Sequence, residues 1–358
     1  MKHLMSCNCS RRDFLAVGLA AASTFSGSRL LADTPSPSRK STSPFATRGV
    51  VVMASDLSSW PWVERAAQTG LTTIGLHGSS GDNIAFLMSE PGQAFVRECA
   101  ANTIAIEHEF HAANQLLPRD LFEKDATLFR MNDAGERTPD SNLCVSSPRA
   151  LEIASENAVR FARDLPSTTG RYYFWSDDGQ PMCRCPKCKG LSDSDQTLLL
   201  ENTLLNAVKQ VRANATLAHL CYHRTLPPPT QVKPEPGVFL EFAPIGRDST
   251  KPMGDPTIAP HAVLLEQLAS NLALFGSDTA QVLEYWLDVS RFSGWKRETL
   301  TKIPWNRDVF QDDLRTYAKL GVRHITTFAC WIDGEYVKRF GDPPLDEYGE
   351  GLLSVAKD

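Results

Sequence analysis

Eight short runs rich in β-branched and aromatic residues recur along the chain, and stretches with helical apolar spacing separate most of them. Strands that alternate with helices predict a parallel sheet, because parallel neighbours need a crossover connection. Eight such units favour an α/β fold of the closed (β/α)₈ TIM-barrel type. The predicted strands cover residues 49–56, 71–78, 103–110, 171–178, 216–223, 237–244, 280–290 and 324–332.

The predicted barrel is somewhat irregular between its fifth and sixth strands. The segment RTLPPPTQVKPEP (224–236) separates these strands, so a Pro-rich loop replaces the usual helix. An open doubly wound sheet is the alternative arrangement. It is less favoured, because no Gly-rich phosphate loop follows the first strand and no G-x-G-x-x-G motif is present.

The N-terminal segment SRRDFLAVGLAAASTFSG (10–27) places two arginines before a short apolar run. This order is typical of a bacterial twin-arginine signal peptide, and the run is too short to span a bilayer. We therefore predict a signal peptide over 1–32, a Pro/Ser-rich linker over 33–47 and a single barrel domain over 48–358. The protein is expected to be exported, to the periplasm or the cell exterior.

The charge pattern argues against nucleic acid as a partner. The formal net charge is −5, and no Lys/Arg-rich run interrupts the sequence. No later stretch is long and apolar enough to predict a membrane span. The sequence does not indicate an oligomeric state.

In barrels of this type the functional groups lie at the carboxyl ends of the strands, and alternation predicts the face that each side chain takes. On the third strand, Glu107, Glu109 and His111 share a face opposite an apolar set, so we expect them to point into the barrel or its mouth. On the seventh strand, an apolar set that includes Leu283 and Tyr285 fits the helix layer. The remaining residues, Glu284, Trp286 and Asp288, are then expected to point inward.

Other strands end in similar residue types. The candidates are Asp56, His77, Tyr222, His223, Glu241, Trp331 and Asp333. Aromatic rings offer flat faces to sugars, and carboxylates accept hydrogen bonds from several hydroxyls. Paired carboxylates also supply the acid and the base or nucleophile of glycoside hydrolysis.

Asp177 and Asp178 fall where the fourth predicted strand ends. Neighbours in an extended strand face opposite ways, so we expect one of the two to enter the mouth and the other to hold the loop. A general acid needs a raised pKa, which burial beside the strand's aromatic residues would supply. An Asp-Gly turn with no catalytic role is the alternative.

A Cys-x-Cys-x-x-Cys segment follows this pair and contains Cys183, Cys185 and Cys188. Three thiolates can bind Zn²⁺ when a fourth ligand arrives from elsewhere, and Cys144 is the best candidate for that ligand. A structural zinc site that fixes the loop is the favoured interpretation. A disulfide between two of these thiols is the alternative in an exported protein.

The segment EHEFHAA (107–113) is not a His-Glu-x-x-His motif, because its two histidines are three residues apart. A zinc protease is therefore a poor interpretation. A zinc-dependent hydrolase that holds its metal at the mouth through Glu107, Glu109 and His111 is a less favoured alternative.

The stretch FWSDDGQPMCRCPKC (174–188), preceded by LCVSSPRA and followed by LAHLCYHRTLPPP, resembles the bacterial domain-of-unknown-function family 4838. The matching positions are Ser176, Asp178, Gly179, Cys183, Cys185, Cys188, Tyr222 and the prolines 227–229. The resemblance is clear over about residues 140–245. The family is similar to barrel glycosidases, notably the β-hexosaminidases and α-glucuronidases.

Together with the predicted signal peptide, the resemblance implies an exported glycoside hydrolase that acts on a complex glycan and needs no cofactor for catalysis. Hexosaminidases carry an Asp-Glu pair at the end of the fourth strand, so Asp178 would be the acid and Asp177 the orienting residue. Glu284 or Glu241 would be the partner carboxylate, and Trp286, Trp331 and Tyr222 would stack on sugars. A carbohydrate-binding barrel without catalysis is the main alternative.

Overall fold

The computed structural model describes residues 43–355, and a closed barrel of eight parallel strands forms its centre. The strands pair in chain order, and β8 closes the ring against β1. The predicted (β/α)₈ fold is confirmed. The strands are β1 (Thr47–Met53), β2 (Thr73–His77), β3 (Ala105–His111), β4 (Arg171–Trp175), β5 (Thr216–Cys221), β6 (Val238–Phe242), β7 (Gln281–Glu284) and β8 (His324–Phe328).

Helices cover the outside of the barrel. In the described residues they are α1 (Trp62–Gln68), α2 (Ser80–Met88), α3 (Glu90–Ala101), α4 (Ala113–Leu116), α5 (Pro148–Asp164), α6 (Asp193–Lys209), α7 (Ala259–Phe275), α8 (Val289–Phe292), α9 (Arg307–Lys319), α10 (Gly334–Phe340) and α11 (Leu345–Ser354). Side-chain caps fix several helix starts. At the start of α6, the Ser192 hydroxyl accepts a hydrogen bond from the backbone N–H of Asp195, and the Asp195 carboxylate accepts one from the backbone N–H of Ser192.

The strands are buried on both faces, which explains their continuous apolar runs. Val50, Val51 and Val52 are all fully buried, because one face of β1 meets the helix layer and the other meets the barrel interior. The core therefore has two parts. One lies between the strands and helices, and the other fills the barrel beneath its mouth.

The connection from β5 to β6 contains one 3₁₀ turn (His223–Thr225) and no α-helix. Three consecutive prolines, 227–229, follow that turn, and Pro lacks the N–H that a helix needs. The Pro-rich loop expected at this position is confirmed.

The predicted signal peptide and most of the predicted linker lie outside the described residues. Among residues 43–355, no helix combines the length and the apolar character that a bilayer crossing would need.

Candidate functional site

A cavity of about 350 Å³ opens at the carboxyl ends of the strands. This volume is within the range of small-molecule sites, and this end of the barrel is where such sites form. Aromatic rings contribute much of the wall: Trp175, Tyr222, Tyr285, Trp295, Phe328 and Trp331. The polar groups in the wall are His77, His111, Asp178, Asp288 and Ser290.

Asp178 contributes its carboxylate to the cavity just after β4. The Tyr222 hydroxyl donates a hydrogen bond of 3.0 Å to Asp178 Oδ1, and His111 Nε2 lies 3.8 Å from the same oxygen. The Asp178 side chain is 65% exposed, so the expected burial beside the aromatic residues of β4 is wrong, and solvent and ligand can both reach the carboxylate.

The neighbouring carboxylate is held outside the cavity. Arg119 donates to Asp177, and the backbone N–H of Asn142 donates to the same carboxylate oxygen at 2.5 Å. The Asn142 side chain in turn accepts the Asp177 backbone N–H at 2.9 Å. Asp177 therefore fixes the loop while Asp178 faces the cavity, which matches the division of roles that alternation predicts.

Two histidines complete this side of the cavity. The Nδ1 atom of His111 donates to the Ser176 carbonyl at 2.6 Å, which leaves its Nε2 facing Asp178. The Nδ1 atom of His77 donates to the Glu109 carbonyl at 2.8 Å. Burial, with a smaller contribution from nearby His111, lowers the pKa of His77 to about 4, so this ring stays neutral near pH 7.

The expected glutamates of β3 and β6 lie inside the barrel, below the cavity. Glu107 accepts hydrogen bonds from Thr169 at 2.5 Å and Tyr173 at 2.8 Å. Glu241 accepts the indole N–H of Trp175 at 2.8 Å, and that ring forms part of the cavity wall above it. These carboxylates support the wall rather than line it.

Glu109 and Glu241 are buried carboxyl groups whose pKa values are both raised. Burial raises the pKa of Glu109 well above its ordinary value, and the charge of Glu241 adds to this effect. Burial also raises the pKa of Glu241, to about 8. Neither Glu109 oxygen has a hydrogen-bond donor among the described residues. Glu109 Oε1 lies beside Gly75, where it is the first atom that an added Cβ would meet. Burial of two carboxyl groups favours their protonated forms.

The expected orientation of the seventh strand is wrong. Leu283 and Tyr285 face the barrel interior and the cavity, whereas Glu284 and Trp286 face the helix layer. Glu284 accepts hydrogen bonds from Arg247 at 2.6 Å and from Tyr317 at 2.5 Å. Because Arg247 pairs with Glu284 outside the barrel, a charged residue takes the face that is usually apolar. The alternation of residues along β7 gives no sign of this partner.

Trp286 has the same outward orientation. Its ring packs edge-on against Phe310 at 4.9 Å, and its indole N–H donates to Asp313 at 2.9 Å. Trp286 is therefore a packing residue of the helix layer. The aromatic side chain that this segment gives to the cavity is Tyr285, the residue directly after β7.

Asp288 lines the cavity because β7 ends at Glu284, earlier than predicted. Its carboxylate caps α8 by accepting the Ser290 hydroxyl at 2.5 Å and the Ser290 N–H at 3.1 Å. Burial raises the pKa of Asp288 above its ordinary value. It is the second carboxylate in the cavity wall.

The remaining predicted residues divide between the wall and its supports. Trp331 lines the cavity, and its backbone N–H donates to buried Asp56 at 3.0 Å. Asp333 caps α10 and pairs with Arg297. His223 packs edge-on against the Tyr222 ring at 4.3 Å without lining the cavity itself.

A separate cluster holds four buried cysteines whose sulfur atoms all lie within 4.8 Å of one another: Cys144, Cys183, Cys185 and Cys188. The Cys144 sulfur is 3.8 Å from that of Cys185 and 3.9 Å from that of Cys188. Four thiolates around one Zn²⁺ lie about 3.8 Å apart when each Zn–S bond is about 2.3 Å. The separations therefore fit a tetrahedral zinc site and exceed the S–S bond length of a disulfide, about 2.05 Å.

The surroundings of the cluster also suit thiolates. The Cys183 sulfur accepts the backbone N–H of Met131 at 3.3 Å and that of Cys185 at 3.4 Å. The Arg137 guanidinium lies 3.7 Å from the same sulfur. Donors and a positive charge near the sulfurs stabilise the ionised form that a metal requires. Within residues 43–355, these cysteines are the group that converges closely enough to hold a metal, and Glu107, Glu109 and His111 do not form a second one.

Residues 84–328 match the model of the family described as "Domain of unknown function (DUF4838)". The chain belongs to this family. The match extends from α2 to the end of β8, so it includes Asp178 and the cysteine cluster, whereas β1 and Trp331 lie outside it. Among curated proteins, no sequence matches the chain.

Solved structures with a similar fold include a glycoside hydrolase family 5 enzyme, PbGH5A from Prevotella bryantii. It is 9% identical, with a TM-score of 0.50, over 87% of this chain and 96% of that one. A Bacteroides ovatus GH5 xyloglucanase is 13% identical, with a TM-score of 0.43, over 86% and 74%. A GH20 module of the pneumococcal exo-β-D-N-acetylglucosaminidase StrH is 10% identical, with a TM-score of 0.44, over 86% and 83%. At this identity, the likeness to PbGH5A shows the barrel fold.

In this DUF4838 chain, Trp295 is a wall residue that no sequence pattern predicts. It lies in the polar stretch RFSGWKRE, and neither strand alternation nor helical spacing singles it out. The available signal is a bulky aromatic residue next to a glycine, three residues after α8 ends.

Proposed function

We propose that this chain is an exported glycoside hydrolase that acts on a complex glycan at the mouth of its barrel. The observation that carries the proposal is one cavity that combines aromatic planes with the reachable carboxylate of Asp178. Sugars stack their apolar faces on such rings, and glycoside hydrolysis needs a carboxyl group beside the scissile bond. The barrel's likeness to the Prevotella bryantii family 5 enzyme supports this proposal.

Asp178 is the proposed general acid. Its position after β4, with the Tyr222 hydroxyl donating to it and His111 nearby, leaves the carboxylate directed at a bound sugar. A sugar seated in the cavity would exclude water from around this exposed carboxyl group. The glycosidic oxygen would then receive the Asp178 proton as the bond to the leaving sugar breaks.

Asp288 is the proposed partner carboxylate. It lies in the wall, whereas Glu284 is paired with Arg247 on the outside and Glu241 lies below Trp175. One Asp288 oxygen accepts the α8 capping bonds, so the other is available to a water molecule or to sugar hydroxyls. In a substrate-assisted reaction, Asp288 would bind hydroxyls and no protein nucleophile would be needed.

A carbohydrate-binding barrel without catalysis is the second candidate. The observation that favours it is the position of Glu241 and Glu284, both of which lie outside the cavity. The aromatic wall would then bind a glycan while Asp178 only accepts a hydrogen bond from it.

Sugar release by the chain from Asp33 onward, measured on aryl glycosides and polysaccharides, tests the proposal. We expect Asp178→Asn to reduce release by a factor of about 10²–10⁴ while glycan binding survives, because Asn keeps the shape and loses the proton. Asp177→Asn is the matched control. It is expected to lower thermal stability by weakening the bond to Arg119 and to alter chemistry less. Binding without release by the wild type would favour the second candidate.

We also propose that the four cysteines bind one structural Zn²⁺. Support comes from their mutual separations, their burial and the donors around Cys183. The metal would join the segment that leads into α5 to the loop that follows β4. Metal analysis of the purified chain is expected to give about one zinc per molecule. A chain without zinc that still titrates four free thiols in its folded state would contradict this proposal.

A further inference from the structure

Trp295 differs from the other tryptophans of this chain. All seven lie in residues 43–355, and Trp295 alone is exposed, with 64% of its surface open to solvent. Within those residues, no ring contact and no indole hydrogen bond joins it to another side chain. It nevertheless borders the same cavity as Asp178 and Tyr222. An uncovered indole face at the entrance of a site is free to receive a flat ligand.

The backbone at this position is strained. Trp295 has φ +56°, directly after Gly294 with φ +63°, and its N–H donates to the Ser290 carbonyl at 2.7 Å. A bulky side chain rarely adopts this left-handed conformation, and such strain concentrates at ligand sites. Trp331, on the wall of the same cavity, has φ +69°.

The charges of the cavity select against acidic sugars. Its charged wall residues are the carboxylates Asp178 and Asp288, and no Lys or Arg is among the described residues that line it. Two arginines pack over rings of the wall, Arg291 over Tyr285 at 5.6 Å and Arg297 over Trp331 at 5.4 Å, but both already have polar partners. Arg291 donates to the Ile245 carbonyl at 3.1 Å, and Arg297 pairs with Asp333. A uronate or sulfated unit would therefore face the repulsion of two carboxylates without an unpaired cation in the wall to compensate it.

We infer that Trp295 is a sugar-binding platform for the unit just outside the cavity, and that the ligand is an uncharged glycan chain of at least two sugars. This inference rests on the proposed function and specifies the substrate class of that same site. One sugar would occupy the cavity between Asp178 and Asp288, and the next would stack on the indole of Trp295. Chain length, and not only the identity of one sugar, would then determine affinity.

The test uses a printed array of neutral gluco-, manno-, xylo-, galacto- and N-acetylglucosamine oligosaccharides, from one to six units. Oligogalacturonates and sulfated chains are the acidic comparison. The full chain with Asp178→Asn serves as the probe, so that the ligand is not cleaved. At least one neutral series is expected to bind about tenfold more tightly as it lengthens from one unit to three. Adding Trp295→Ala should abolish that gain, and Trp295→Phe should keep most of it.

Trp295→Gly separates a ligand platform from a structural role. Glycine adopts positive φ freely, so this variant is expected to melt no lower than the wild type while it loses the gain with chain length. A tryptophan that serves folding would instead lower the melting temperature when removed.

Three results would overturn the inference: an unchanged length dependence in Trp295→Ala, binding to acidic chains alone, or no neutral series with a length dependence. Sugar release by the wild type distinguishes the two proposals. Length-dependent binding without release would contradict the hydrolase and leave the platform standing. Release with the same length preference in wild type and Trp295→Ala would contradict the platform and leave the hydrolase standing.

Discussion

The two sides of the barrel mouth are built in different ways. On the side of β3 and β4, several hydrogen bonds hold the segment next to Asp178. Asp177 is fixed by Arg119 and by Asn142, and the Asn142 side-chain amide donates to the carbonyls of Gln180 and Pro181. The cysteine cluster lies on the same side, and three of its members belong to the next part of that loop.

The side of β7 and β8 presents two of its aromatic rings on strained backbone. Trp295 and Trp331 both have positive φ, and the Trp295 ring has no partner within residues 43–355. The difference corresponds to the two functions proposed for the site, proton donation and sugar stacking. An acid has to sit at a fixed distance from one atom, whereas a stacking face tolerates sliding of the sugar and needs exposure more than fixation.

The largest expected effect concerns the fixed side. Cys188→Ser removes one thiolate of the proposed zinc site, so the loop after β4 loses its anchor. We expect zinc to fall below a tenth of an equivalent and the free energy of unfolding to fall by about 3–5 kcal/mol. Zinc analysis and urea unfolding measure the two effects.

Cys99→Ala is the matched control for this variant. Cys99 is also a buried cysteine, but it belongs to the core cluster of α3 and is not part of the four-cysteine group. It should keep its zinc and lose about 1 kcal/mol through a small cavity. Equal losses in both variants, with zinc retained in Cys188→Ser, would remove the distinction between the two sides of the mouth.

A smaller effect concerns the carboxyl pair beneath the cavity. The pKa values of Glu109 and Glu241 are raised in the folded chain, the latter to about 8, against about 4.5 when unfolded. The folded state therefore binds more protons than the unfolded one between these values. The contribution of this pair to the free energy of unfolding should be greatest below pH 4.5 and should be lost as the pH rises through about 8.

Glu109→Gln should reduce that loss, because the amide is neutral at every pH and can donate to Glu241. We expect a gain of about 1–3 kcal/mol at pH 9 and little change at pH 5, measured by unfolding at both values. Glu107→Gln is the comparison, since Glu107 already accepts bonds from Thr169 and Tyr173. It should destabilise at both pH values. A parallel response of the two variants would show that Glu109 is bonded like Glu107.

Alternation predicts the side-chain orientation of a strand correctly where its buried charges lie inside the barrel. On β3, apolar residues face the helices, so alternation alone sends Glu107, Glu109 and His111 inward. On β7 the same rule fails, because Arg247 reaches Glu284 from the loop after β6 and stabilises the charge among the helices. Periodicity describes one strand at a time, and this ion pair joins residues 37 positions apart.

The cysteine cluster was accessible to sequence reasoning because thiols have few other uses at such close spacing. Cys144 precedes the helix that leads into β4, and this position predicts that it lies near the other three cysteines. In the structure, Cys144 lies beside them. Trp295 had no comparable signal. Its role depends on a left-handed turn after α8 and on exposure, and both are properties of the folded backbone.

The smallest expected effect tests whether strain at the mouth differs from strain elsewhere. Thr103 has φ +59° in the exposed turn between α3 and β3, at the end of the barrel away from the cavity. Thr103→Gly should raise the free energy of unfolding by about 0.5 kcal/mol, because relief of a β-branched left-handed residue outweighs the added freedom of the unfolded chain. The melting temperature should rise by about 1 °C, with glycan binding unchanged. Thr103→Ala keeps the Cβ atom and should show no such gain. If Thr103→Gly instead impaired binding as Trp295→Gly is expected to, positive φ would mark general fragility in this fold rather than a ligand platform at one side of its mouth.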